Sequence, residues 1–156
     1  MFSKILVPVD GSPQAHNALI KALEIAKIHG SEVEILHVTT FSEEYTSYES
    51  SDNVSSSEAI SPPEWISEYI ENVRENDENM LNETLKYAKH LAPELNIKTK
   101  LLTGKAAETI IAEADEGEFD LIVIGSRGLG GLRELVLGTV CRNVVNGVKI
   151  PVLVVK

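Results

Sequence analysis

The chain has a single cysteine, Cys141, among 156 residues. One thiol cannot close an internal disulfide, so the fold has to be held by its core, and a reducing cytoplasm is the expected setting. No apolar run approaches the roughly 20 residues that span a bilayer, which argues against a membrane protein. The opening M-F-S-K-I-L-V-P-V-D has neither the basic start nor the cleavage site of a signal peptide, and Asp10 interrupts its apolar run. Basic residues are in deficit, 14 Lys and Arg against 24 Asp and Glu, for a net charge of −10. That balance argues against nucleic acid as a general partner.

The few basic residues are unevenly placed. From Leu121 onward there are five (Arg127, Arg133, Arg142, Lys149, Lys156) against one acid, Glu134, which leaves −14 on residues 1–120. A basic segment on an acidic chain suits a small anionic ligand. Taken singly, Arg133, Arg142 and Lys149 read as solvated helix-face charges.

The length fits one domain with a substantial core. Lys4 to Val9 reads as a strand. Asp10-Gly11-Ser12-Pro13 turns the chain into a helix with Ser12 as N-cap and Pro13 in the first turn. Ala15, Ala18, Leu19, Ala22, Leu23 and Ala26 make its buried stripe, His16 and His29 lie off it, and Gly30 is a left-handed cap. Val33 to Val38 is the second strand. Thr39 to Ser61, rich in Ser and Glu, has neither helical nor strand period and reads as a flexible insertion; a ligand lid or phosphorylated segment, with Tyr45 and Tyr48, is the sharper alternative.

Ser61-Pro62-Pro63-Glu64 looks like a capping box opening a long helix that Pro93 closes, with Trp65 as a packing anchor. The polar run Glu75 to Asn79 interrupts the helix's apolar stripe, predicting either an overhang into solvent or a bend. Asn96 to Leu102 alternates polar and apolar residues, as an edge strand does, and a helix carrying Ile110, Ile111 and Ala114 follows. Leu121 to Ile124 is a short apolar run suited to a strand buried on both faces. A last helix and Val152 to Val155 complete β-α-β-α-β-α-β-α-β, which predicts an open five-stranded parallel sheet with helices on both faces, a Rossmann-like α/β fold in one domain.

The stretch that draws chemistry is D-L-I-V-I-G-S-R-G-L-G-G-L-R-E-L-V-L-G-T-V-C, in which a strand is followed by a glycine-rich loop and then a helix start at Thr139, read as its cap. Glycines let backbone N–H groups approach phosphate oxygens, and a helix start adds orphan donors and a positive dipole end. No G-x-x-x-x-G-K-[ST] occurs, and Gly128-x-Gly130 has Arg133 where a dinucleotide fingerprint needs its third glycine. The spacing Gly125-x2-Gly128-x9-Gly138-Thr139, with I-L-V-P-V-D-G-S at the start and P-V-L-V-V at the end, closely resembles the ATP-binding branch of the universal stress protein family.

That resemblance covers nearly the whole chain and implies the strand order 3-2-1-4-5, with the ligand crevice between the first and fourth strands and Asp10 facing Gly125 across it. It implies that Pro8, Val9 and Asp10 line an adenosine pocket, that Val38 presents backbone to adenine, and that Gly125, Ser126, Arg127, Gly128, Gly138, Thr139 and Val140 form the phosphate and ribose loop. Cys141 falls where many relatives carry a hydroxyl. Its thiol is a poorer donor; it reads as a small buried thiol, with a reactive thiolate at the helix start as the alternative. The implied ligands are ATP, or another adenine nucleotide, with Mg²⁺ bound through the phosphates, and the implied assembly is a homodimer through Val152, Leu153, Val154 and Val155.

No further Glu, His or Asp sits in motif position as a general base, and H-I-G-H and S-G-G-x-D-S are absent. The chain therefore reads as a regulatory ATP-binding module with slow or no turnover and no assigned catalytic residue. The alternatives are a slow ATPase or self-phosphorylating enzyme using Ser126, Thr139 or a loop serine, and a nucleotide-free dimeric scaffold.

Overall fold

The fold was analysed in a computed structural model that describes residues 1–41, 63–129 and 137–156. The expected lid segment, including Tyr45 and Tyr48, lies outside the described residues apart from its first three positions. Among the described residues five parallel strands, β1 (Lys4–Pro8), β2 (Glu32–Thr39), β3 (Ile97–Thr103), β4 (Leu121–Gly125) and β5 (Val152–Val155), form one sheet in the order β3-β2-β1-β4-β5. Four helices among the described residues lie between them: α1 (Pro13–His29), α2 (Glu64–Leu91), α3 (Ala106–Glu116) and α4 (Thr139–Gly147). The order and class match the expectation.

Alternation along β1 explains the two layers. Ile5, Val7 and Val9 join Val33 and Ile35 in a core under the alanine-rich stripe of α1 and the Leu81 and Ala88 side of α2. Leu6 and Leu36 point to the opposite face, against Ile110 and Ala114 of α3 and Val144 of α4. Burying each such aliphatic side chain contributes about 1.5–3 kcal/mol. The small residues of α1 let it lie close to the sheet. Ser12 Oγ accepts from the Ala15 amide at 3.1 Å, and Gly30 closes the helix at φ 69°, both as expected.

Helix α2 departs from the sequence reading at its start. Its first residue is Glu64, and Pro63, in extended conformation (φ −51°, ψ 145°), occupies the cap position without a side-chain bond. Pro63 thus precedes the helix, its carbonyl accepting from the Ile66 amide at 2.9 Å. Ser61 lies outside the described residues. Trp65 is not a buried anchor, being 61% exposed. Across the polar run the helix is unbroken; Glu75, Asn76, Glu78 and Asn79 are solvated, and Asp77 alone turns toward the strand ends.

One core polar group is poorly matched. Glu34 on β2 is buried beside Glu113 of α3, and its Oε1 has no hydrogen-bond partner. Lys100 on β3 binds both oxygens of Glu113, at 2.8 and 2.7 Å. Burial, then the charge of Glu113 and a hydrogen bond with it, pushes the Glu34 carboxyl above its ordinary range, against the opposing pull of Lys100 and Lys4. A raised carboxyl holds its proton more tightly in the fold, so its stabilising contribution is complete below the unfolded-state pKa and is lost as pH rises through the folded one. Glu34→Gln, which keeps a donor for Glu113 without the charge, should therefore stabilise the protein by about 1 kcal/mol near neutral pH, or about 2–4 °C in Tm. The gain should shrink on acidification; thermal melts at several pH values check both points.

Candidate functional site

The sheet divides at its C-terminal end. β1 pairs with β2 from Lys4↔Glu32 to Pro8↔Leu36, but with β4 only at Ile5↔Leu121 and Leu6↔Ile122. Beyond those two rungs β1 and β4 diverge, as strands do where the winding of an α/β sheet reverses. A cleft of about 1100 Å³ opens there, lined by residues from β1, β2, β4, α2, α3 and α4. Its volume is slightly above the roughly 300–1,000 Å³ typical of small-molecule sites.

Most of the residues expected at the site line this cleft: Pro8, Val9, Asp10, Val38, Gly125, Arg127, Gly128, Gly138, Thr139, Val140 and Cys141. Ser126 is the exception. It is buried behind the wall, its amide donating to Val155 O at 2.7 Å and its carbonyl accepting from the Gly138 amide at 2.8 Å. Ser126 thus ties β4, β5 and the start of α4 together, a poor position for a phosphate acceptor. Arg133 and Glu134 lie outside the described residues.

The glycines serve close approach, not unusual dihedrals, since Gly125, Gly128 and Gly138 all avoid positive φ. A Cβ on Gly128 would lie 2.5 Å from Asp10 Oδ2; one on Gly138 would meet Ser126 O at 3.3 Å and Arg127 Cα at 3.4 Å. The residue set against Asp10 is therefore Gly128, whereas Gly125 packs its backbone against Gln14 and Ala15 at the start of α1. Asp10 is itself oriented, its Oδ1 accepting from the Ser12 amide at 2.9 Å.

Helix α4 is capped one residue earlier than expected. Gly138 is the N-cap and has no side-chain bond to give, so Thr139 is the first helical residue. The close approach to Ser126 and Arg127 leaves little room for a side chain there. The first intrahelical bond runs from the Arg142 amide to Gly138 O, at 2.9 Å. The amides of Thr139, Val140 and Cys141 precede it and have no intrahelical acceptor, as at every helix start. Orphan donors, the positive helix end and Arg127 together make this wall of the cleft suited to an anion. Pro8, Val9, Leu36, Val38, Met80 and Ile110 supply an apolar wall of the kind a flat heterocycle fills.

Sequence reading missed two polar residues of the wall. His37 and Asp77 also line the cleft, and they contact each other at 3.2 Å. The interrupted stripe of α2 was the available signal, but nothing in it singled out one acid of the run. Among the described residues no group of three His, Cys, Asp or Glu side chains is placed to hold a metal ion.

Comparison with known proteins agrees with this fold. The model of the universal stress protein family matches residues 1–156, and the chain belongs to that family. It is 34% identical to the universal stress protein YxiE of Bacillus subtilis, across the full length of both chains. The solved structure of MJ0577, a universal stress protein of Methanocaldococcus jannaschii, superposes with a TM-score of 0.80 at 29% identity, covering 100% of this chain and 96% of that one. A universal stress protein from Archaeoglobus fulgidus solved in complex with dAMP shares the fold at TM-score 0.62 and 22% identity, covering 99% and 98%.

Cys141 resolves the choice between a reactive and an inert thiol. It is 3% exposed among the residues packed on α3 and α4, and burial pushes its thiol above the ordinary cysteine range. The helix start beside it does not outweigh that desolvation. Labelling by a disulfide reagent at pH 8 should be at least about tenfold slower in the native protein than in urea. Native labelling as fast as in the unfolded chain would show an accessible thiolate instead.

Proposed function

We propose that this member of the universal stress protein family is a regulatory protein that binds ATP in the cleft between β1 and β4, with slow or no turnover. The carrying observation is the uncapped start of α4 at Gly138, aimed into the cleft with Arg127 and placed across from Asp10. The phosphates take the orphan amides of Thr139 and Val140 and the Arg127 charge. Asp10 takes a ribose hydroxyl, and adenine lies on the apolar wall with Val38 at its edge. A solved protein of the same fold is in complex with dAMP, which supports an adenine nucleotide as the class of ligand. Mg²⁺ would be held through the phosphates and not by a carboxylate or histidine cluster of the described residues. The single cysteine suits a cytoplasmic protein, and among the described residues no helix is long and apolar enough to cross a membrane.

We further propose a homodimer through β5. Among the described residues that strand pairs only with β4, at one edge of the sheet, and its four residues are all apolar. An uncovered edge of that composition invites a second copy. Leu153 is 38% exposed, whereas Val154 packs partly on the core beneath α4, so the charge is better placed at Leu153. Leu153→Lys should convert dimer to monomer in sedimentation with little loss of stability; a dimeric variant would put the interface elsewhere.

Ligand binding is tested end by end. Gly128→Val drives a branched side chain into Asp10 and should weaken ATP at least about tenfold, or about 1.4 kcal/mol. The unfolding of the ligand-free protein should change little. Asp10→Ala should weaken adenosine and ATP together, and Arg127→Ala should weaken ATP more than adenosine. Calorimetry on protein stripped of bound ligand checks all three. No heat from wild-type protein with ATP and Mg²⁺ would overturn the nucleotide reading.

A further inference from the structure

The β1–β2 ladder stops before β2 does. Its last rungs are Pro8↔Leu36 and the bond from the Val9 amide to Leu36 O, at 2.8 Å, while β2 runs on to Thr39. The Val9 carbonyl, one atom group before Asp10, takes its bond from a side chain instead: His37 Nδ1 lies 2.7 Å from it. A carbonyl only accepts, so Nδ1 carries the proton. The other ring nitrogen, Nε2, faces Asp77 Oδ1 at 3.2 Å, and Thr39 Oγ1 donates to Asp77 Oδ2 at 2.6 Å. Both ring nitrogens of His37 therefore face a polar partner, and both carboxylate oxygens of Asp77 face a polar group.

This chain of contacts runs from the last carbonyl of β1, through the end of β2, to the middle of α2. It is largely buried, with His37 and Asp77 side chains 11% and 23% exposed. A leucine at position 37 and an apolar residue at 77 would continue the core and the α2 stripe at lower desolvation cost. The polar chain does something those residues could not, which is to hold a backbone carbonyl where the sheet comes apart.

We propose that His37, braced by Asp77, is a positioning residue for the ligand cleft: its imidazole replaces the missing backbone rung, fixes the Val9–Asp10 peptide, and so sets the Asp10 carboxylate toward the ligand. The proposal rests on the nucleotide reading and adds to it the device that orients its adenosine end. His37 acts through Asp10 and need not touch the ligand.

Two substitutions separate positioning from space-filling. Asparagine places an amide N–H near the Nδ1 position and can still donate to Val9 O, whereas leucine fills the space and donates nothing. His37→Leu should weaken adenosine and ATP alike by about fivefold or more, and His37→Asn should stay within about twofold of wild type. In an Asp10→Ala background, His37→Leu should cost no more than about twofold further, because the group it positions is gone. Should His37→Leu fail to fold, His37→Gln replaces it, since its amide reaches the Nε2 position and leaves Val9 O unbound. Wild-type protein that binds but loses equally with Asn and Leu, or loses the same factor with and without Asp10, overturns the positioning role alone. Wild-type protein that gives no heat with adenosine or ATP overturns the nucleotide reading and this proposal together.

Discussion

The parting of β1 from β4 after two rungs is the constraint from which the rest of the structure follows. A parallel sheet wound in both directions from a central strand must leave a gap where the first crossovers go opposite ways. Here that gap falls beyond Leu6 and Ile122. The loop after β1 carries Asp10, the loop after β4 carries Arg127 and Gly128, and both are brought to the rim of the same opening. Each glycine contact at the rim reflects how tightly the two loops approach: Gly128 against Asp10, Gly138 against the Ser126 carbonyl, Gly125 against the start of α1.

The polar groups of the fold divide according to that opening. At the cleft they are matched: Asp10 with the Ser12 amide, His37 with the Val9 carbonyl, Asp77 with His37 and Thr39. Away from it, Glu34 is buried with an oxygen unpartnered next to a second carboxylate. The matched set keeps the strand ends rigid where the main-chain ladder has run out. The unmatched one is a stability cost that the large apolar core absorbs.

The edge of the sheet and the cleft are linked through Ser126. Its amide binds the last strand at Val155 and its carbonyl binds the cap of α4, so β5 and the anion-facing helix start share one residue. A subunit contact along β5 therefore lies one peptide away from the phosphate wall, which gives dimerisation and ligand binding a common structural element within the proposed function.

The sequence by itself determined the architecture. Apolar runs of strand length alternate with helical stripes, and Ser12, Pro13 and Gly30 mark the ends of α1 by local chemistry that needs no tertiary partner. The glycine spacing located the loop that faces the cleft, because backbone approaching this closely leaves little room for a side chain. Tertiary structure decided the finer matters. Gly138, not Thr139, caps α4 because a distant carbonyl, Ser126 O, comes within hydrogen-bonding distance of its amide. The choice of Asp77 from five consecutive polar residues, and of His37 as its partner, depends on which turn of a 28-residue helix passes over the end of β2. Cys141 likewise took its character from burial rather than from its place at a helix start. Composition and periodicity report which residues favour a core. Which polar groups meet there is set only when elements far apart in the chain are packed together.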